Sequence, residues 1–128
     1  MVVWLGGMAL SNMTTIQHKT WFTRSNSVTF QSVTFASGEV LAARVVVARV
    51  KATGKAVAWD PNVVDGSQTV IGLTAQSVDA SASDKTTSIY KSGAFNIDLV
   101  IWPDGVTEAQ KQGCFDGTNI NVEQPNEG

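Results

Sequence analysis

The chain has 128 residues, of which 43% are apolar and 16% charged, with a formal net charge of −2. That length suits one hydrophobic core of ordinary size and argues against a second, while so few charges suit a surface partly covered by partners. The single Cys114 excludes an intrachain disulfide, and with one histidine in the chain no Cys/His set exists for a structural zinc.

The opening MVVWLGGMAL is apolar, but the first charge is Lys19. The stretch therefore lacks the basic start of a signal peptide and falls short of the roughly 20 residues of a membrane span. It reads as part of an arm, or as sequence upstream of a start at Met8 or Met13. Through Ser37 the chain is rich in Ser, Thr, Asn and Gln, with alternating pieces at Val28-Thr29-Phe30 and Val33-Thr34-Phe35. The expectation is an extended N-terminal arm over residues 1–37, bounded by Gly38, a β domain over 38–124 and a tail over 125–128.

Next comes VLAARVVVARVKATGKAVAWDP, rich in β-branched residues, which predicts a strand, a turn at Thr53-Gly54 and a returning strand from Lys55 to Asp60. After the PNVVDGS loop, TVIGLTA predicts a further strand. TTSIYKSGAFNIDLVIW predicts a hairpin with Ser92-Gly93 at its tip and Ile97, Leu99 and Ile101 alternating along its second arm. Thr107 to Gln110 has the form of a capping box, so one short helix is expected, ended by Gly113. TNINVE closes the chain as a short strand. The fold class is thus mainly β, with short strands, hairpins and one short α-helix.

No catalytic set emerges. His18 sits in the polar arm, Cys114 at the helix end has no histidine near it to activate it, and glycines occur singly in turns without a phosphate-cradling loop. Asp60 and Asp65 flank one loop and Asp79 and Asp84 another; a calcium site or a glycosidase-like pair needs such carboxylates, yet the spacing matches no EF-hand, and Asp beside Pro or Gly is ordinary turn chemistry. Trp59 and Trp102 each end an apolar strand, the place of a core lid or an intersubunit plug. Trp4 and Trp21 lie in the arm. Charge is divided: through Lys55 six basic residues face Glu39 alone, and from Ala56 onward three basic residues face ten acidic ones. The basic residues form no cluster, which argues against nucleic-acid binding.

Between Lys51 and Val122 four pieces stand in a particular order and spacing: Val57-Ala58-Trp59-Asp60, Asp65-Gly66 leading to Ile71-Gly72, Tyr90-Lys91-Ser92-Gly93 followed by Phe95, and Trp102-Pro103. In these pieces the sequence resembles the head decoration (capsid-stabilising) proteins of lambda-type tailed bacteriophages. The resemblance implies a β-clip-like fold, a homotrimer and no enzymatic activity or cofactor. It also implies a place on the outer surface of the virion, at threefold and quasi-threefold positions, cementing major capsid protein subunits after expansion in the host cytoplasm. Neither nucleic acid nor membrane is an expected partner. The arm residues Trp21, Phe22, Arg24, Val28, Phe30, Val33 and Phe35 are the expected capsid contacts, added as a strand to a sheet edge of the shell. Trp59, Tyr90, Phe95 and Trp102 are the expected trimer or core aromatics. A small β module that binds carbohydrate or a host surface through Trp4, Trp21 or the acidic loops is the alternative. A hydrolase using Asp60 and Asp65, or Asp98 and Asp104, is a third.

Overall fold

The computed structural model describes residues 20–23, 28–63 and 67–124. Among the described residues eight strands follow one another as β1 (Thr29–Phe35), β2 (Val40–Leu41), β3 (Val46–Val50), β4 (Ala56–Ala58), β5 (Gln68–Thr74), β6 (Val78–Asp79), β7 (Lys85–Asn96) and β8 (Asn119–Glu123). A 3-10 turn (Ile97–Leu99) and one helix, α1 (Glu108–Gly113), lie between β7 and β8. The main sheet runs β1-β4-β3-β5-β7-β8, and β1 also pairs with β7, so five strands close into a small barrel. The β1–β4 seam is a parallel contact at Phe35 and Ala56; β7 and β8 are parallel from Ser92/Asn119 to Asn96/Glu123. β2 and β6 form a separate two-stranded ribbon.

Two apolar clusters hold this arrangement. The first takes Val33 and Phe35 from β1, Val47 from β3, Ala56 from β4, Ile71 from β5 and Ile89 from β7, one contribution or more from every strand of the ring, and so fills its interior. The second collects side chains that leave the opposite face of the same strands, Val46, Leu73 and Phe95, and covers them with Val100, Phe115 and Ile120 from the C-terminal segment. Alternation alone separates Val46 from Val47, whereas register shifts on β5 and β7 put Leu73 opposite to Ile71 and Phe95 opposite to Ile89, although each pair is an even number of residues apart. Gly72 is required where β5 crosses β7, because a Cβ there would run into the Tyr90 carbonyl.

Three expectations change. The stretch before Gly38 is not wholly an arm: β1 pairs antiparallel with β7 from Thr29/Ser92 to Phe35/Lys85, and Val33 and Phe35 are 6% and 0% exposed. Cross-strand hydroxyl pairs, Thr29 with Ser92 at 2.7 Å and Thr34 with Thr86 at 2.9 Å, reinforce the ladder. A domain boundary at Gly38 therefore cuts through the sheet; the strand that β1 needs lies some fifty residues downstream, with Thr34 and Thr86 separated by 52 positions. Second, no hairpin turns at Ser92-Gly93. β7 runs through twelve residues, and Gly93 adopts φ 139°, a conformation that bends the strand without reversing it. Third, the segment with Ile97 and Leu99 is a 3-10 turn, started by Asn96, whose side-chain oxygen accepts from the Asp98 amide at 2.9 Å. The β3–β4 hairpin, β5, the capped helix and the closing strand lie where the sequence places them; Gln110 N–H donates to Thr107 Oγ1 at 3.1 Å and Thr107 N–H to Gln110 Oε1 at 2.8 Å.

Candidate interaction surface

The sequence-predicted contact residues divide by strand parity. On β1, Val33 and Phe35 point into the barrel, whereas Phe30 is 57% exposed and Phe22 is 41% exposed. Val28 is partly buried, and Arg24 lies outside the described residues. Trp21 is half-buried against the second cluster. It reaches the barrel because residues 21–23 continue along the edge of β7: Thr23 N–H donates to the Ala94 carbonyl at 3.1 Å, Asn96 N–H to the Trp21 carbonyl at 2.7 Å, and Phe22 stands opposite Phe95.

These placements bring five rings together. Phe30 meets Tyr90 at 5.1 Å between centroids, Tyr90 meets Phe22 edge-on at 6.1 Å, and Trp21 lies 6.3 Å from Phe22 and 4.8 Å from Phe95. Phe95 is the buried base of the group, while Phe22 and Phe30 form its outward stripe, with Tyr90 and Trp21 half-buried between them. Tilted and edge-on geometries of this kind each add about 0.5–1.5 kcal/mol beyond area burial. At one end Arg44 holds its guanidinium 5.8 Å over the Trp21 ring. Sequence reading missed Arg44: nothing in VLAARVVV marks it, and its role depends on a positive φ of 67°.

The other predicted aromatics belong to the second layer. Trp59 and Trp102 pack partly buried against it, and Trp102 Nε1–H donates to the Ile97 carbonyl at 3.0 Å, which fixes the ring. Asp60 and Asp79 serve turns, accepting from Asn62 N–H at 2.9 Å and Ser81 N–H at 3.0 Å, while Asp84 makes tertiary contacts, accepting from Ser37 N–H at 2.9 Å and pairing with Lys55 at 2.8 Å. Asp65 and His18 lie outside the described residues. Hydrogen bonds from Ser81 hold the Asp79 pKa below its ordinary value, and Lys55 with Ser37 does the same for Asp84. Burial pushes the Cys114 thiol up to about 12, so it stays protonated. Burial lowers the pKa of Lys91, with Arg49 adding to it, and Lys91 Nζ donates to the Ile71 carbonyl at 3.1 Å. Among the described residues no group of three His, Cys, Asp or Glu could hold a metal ion, and no helix is long and apolar enough to cross a membrane.

A small closed barrel that presents aromatic rings on an outer face offers a surface on which a partner could be met. The model of the bacteriophage lambda head decoration protein D family matches residues 20–120, and the chain belongs to that family. It is 32% identical over 71 residues to a protein of Escherichia phage N15 described as a candidate decoration protein, covering 55% of this chain and 60% of that one. It is 28% identical over 71 residues to the head decoration protein of Enterobacteria phage P21, covering 56% and 57% respectively. The chain thus spans about three-fifths of the length of the curated relatives it matches.

Proposed function

We propose that this chain is a structural protein of a phage head, which binds the outer surface of the icosahedral shell and stabilises it. In this reading it acts as a homotrimer at threefold and quasi-threefold positions, bridging neighbouring subunits of the major capsid protein of the same virus after expansion. It needs no cofactor and performs no catalysis. Assembly takes place in the host cytoplasm. The observation that carries the reading is the family match over residues 20–120, a span that includes the whole barrel, the helix and the start of β8. Exposed Phe22, Phe30, Val40 and Ile101 support it, since a free monomer would leave these apolar side chains in water. Of the expected arm contacts, Trp21, Phe22, Arg24, Val28 and Phe30 remain candidates for the shell; Val33 and Phe35 are committed to the core.

The test uses expanded shells of the phage whose genome encodes the chain, stripped of decoration. Purified protein should co-sediment with them, raise the temperature at which they break, and give threefold density on the outside of the shell by electron cryomicroscopy. Protein that neither co-sediments nor changes shell stability would refute the reading.

A further inference from the structure

The loop before β3 contains a residue whose conformation is unfavourable and tightly enforced. Arg44 has φ 67°, the left-handed region that side chains other than glycine rarely occupy. Its backbone is fastened on both sides: Arg44 N–H donates to the Thr74 carbonyl at 3.0 Å, and Ile101 N–H donates to the Arg44 carbonyl at 2.8 Å. Thr74, fully buried, staples the same loop through its hydroxyl, donating to the Ala42 carbonyl at 2.7 Å and accepting from Val45 N–H at 2.9 Å. Glycine would satisfy this backbone without strain, yet the position carries an exposed arginine with its guanidinium over Trp21. Strain held in place by surrounding hydrogen bonds is a mark of function. Among the described residues no carboxylate pairs with Arg44, which is exposed and ends the Phe30–Tyr90–Phe22–Trp21 stripe.

We infer that Arg44 and this stripe form one docking hot spot for an extended, acidic and apolar segment of the shell protein, with an Asp or Glu carboxylate on the guanidinium and large apolar side chains against Phe22 and Phe30. The occupant is assigned by charge complementarity: a planar, preorganised cation beside desolvating rings recognises a carboxylate bidentately. This rests on the shell-binding reading above and names the partner's chemistry.

The test measures binding of full-length protein to expanded, undecorated shells at several salt concentrations. For Arg44→Gly, half-maximal occupancy should require about tenfold more protein or above, salt should weaken binding less steeply than in the unsubstituted protein, and the melting temperature should stay level or rise. Phe30→Ala should lose occupancy by a similar factor, and Ser77→Ala, at an exposed position in the turn between β5 and β6, should bind normally. Arg44→Gly protein that decorates shells with unchanged affinity or unchanged salt dependence overturns the inference while leaving the shell-binding reading intact. Dissociation of the oligomer by Arg44→Gly, seen by sedimentation before shells are added, also overturns it and assigns the stripe to a second copy of the chain. Failure of the unsubstituted protein to bind shells instead refutes the reading on which the inference rests.

Discussion

Phe35→Ala separates a strand of the body from a detachable ribbon. Phe35 is 0% exposed and packs among Val33, Val47, Ala56 and Ile89, at the only register pair that joins β1 to β4 among the described residues. Truncating a buried phenylalanine costs about 3–5 kcal/mol, the lost transfer energy plus the cavity left behind. Against the roughly 5–15 kcal/mol that holds a domain together, that is a large share. With a denaturant slope of about 2 kcal/mol/M, the urea midpoint should fall by roughly 2 M. Phe30, five residues earlier on the same strand, is 57% exposed, and Phe30→Ala forfeits mainly its ring contact with Tyr90, about 1 kcal/mol. The two measurements together are the assay: equilibrium urea unfolding followed by tryptophan fluorescence, both variants beside the unsubstituted protein. Deleting residues 1–37 removes β1 and should abolish cooperative unfolding. A Phe35→Ala protein with an unchanged midpoint would refute the reasoning, because β1 would then not be part of the folded body.

Gly72→Ala should destabilise by about 1–3 kcal/mol, read by thermal melting, because the new Cβ must push apart β5 and β7 at the Tyr90 carbonyl. Asp84 has a folded pKa held below its unfolded value by Lys55 and Ser37, so its contribution is present above the unfolded pKa and lost as pH falls through the folded one. The urea midpoints of Asp84→Asn and the unsubstituted protein should therefore differ at pH 7 and converge progressively as pH falls from 3.8 through the lower folded pKa; a difference that does not shrink as pH falls below 3.8 would contradict the assignment. With its pKa at about 12, Cys114 should react with a thiol reagent at pH 8 much more slowly in the folded protein than after denaturation, and equal rates would show that burial does not control it.

What the sequence reveals here is what neighbours in the chain decide. The β3–β4 hairpin is legible because Thr53-Gly54 separates two β-branched runs, and Gly54 does take the positive φ of 73° that the turn needs. The helix is legible because its capping box lies within four consecutive residues. Partners distant in the chain are not legible. Val28 to Phe35 has a strand's alternation, but the edge it joins is β7, and without that edge the stretch reads as a ribbon searching for one outside the protein. The same blindness explains the hairpin expected at Ser92-Gly93. Ser-Gly is a fair turn signal; here β1 on one side and β8 on the other hold the chain extended past it. The aromatic stripe was half visible, as Phe22 and Phe30, and acquires Tyr90 only through the register that sets Phe30 opposite it. Arg44 carried no local signal at all, since its conformation is imposed by Thr74 and Ile101.

The position of β1 also changes the energetics of the proposed shell contact. An unstructured ribbon would have to be ordered on binding, at about 1–2 kcal/mol of backbone entropy per residue, which can consume the gain from one or two buried rings. β1 is already ordered by β7, and over Thr29–Thr34 its other edge has no strand neighbour among the described residues, because β4 joins it only at Phe35. Gln31 and Ser32 are exposed along that edge, and Phe30 belongs to the stripe that Arg44 terminates. A partner segment laid beside β1 would thus meet main-chain donors and acceptors, rings and a cation that are all fixed beforehand, and affinity would come from preorganisation rather than from a large area. For such a surface the weakest link is rigidity. Loss of the Thr74 hydroxyl, which touches nothing outside the fold, should then weaken shell binding by loosening the loop that carries Arg44, although no contact with the shell is removed.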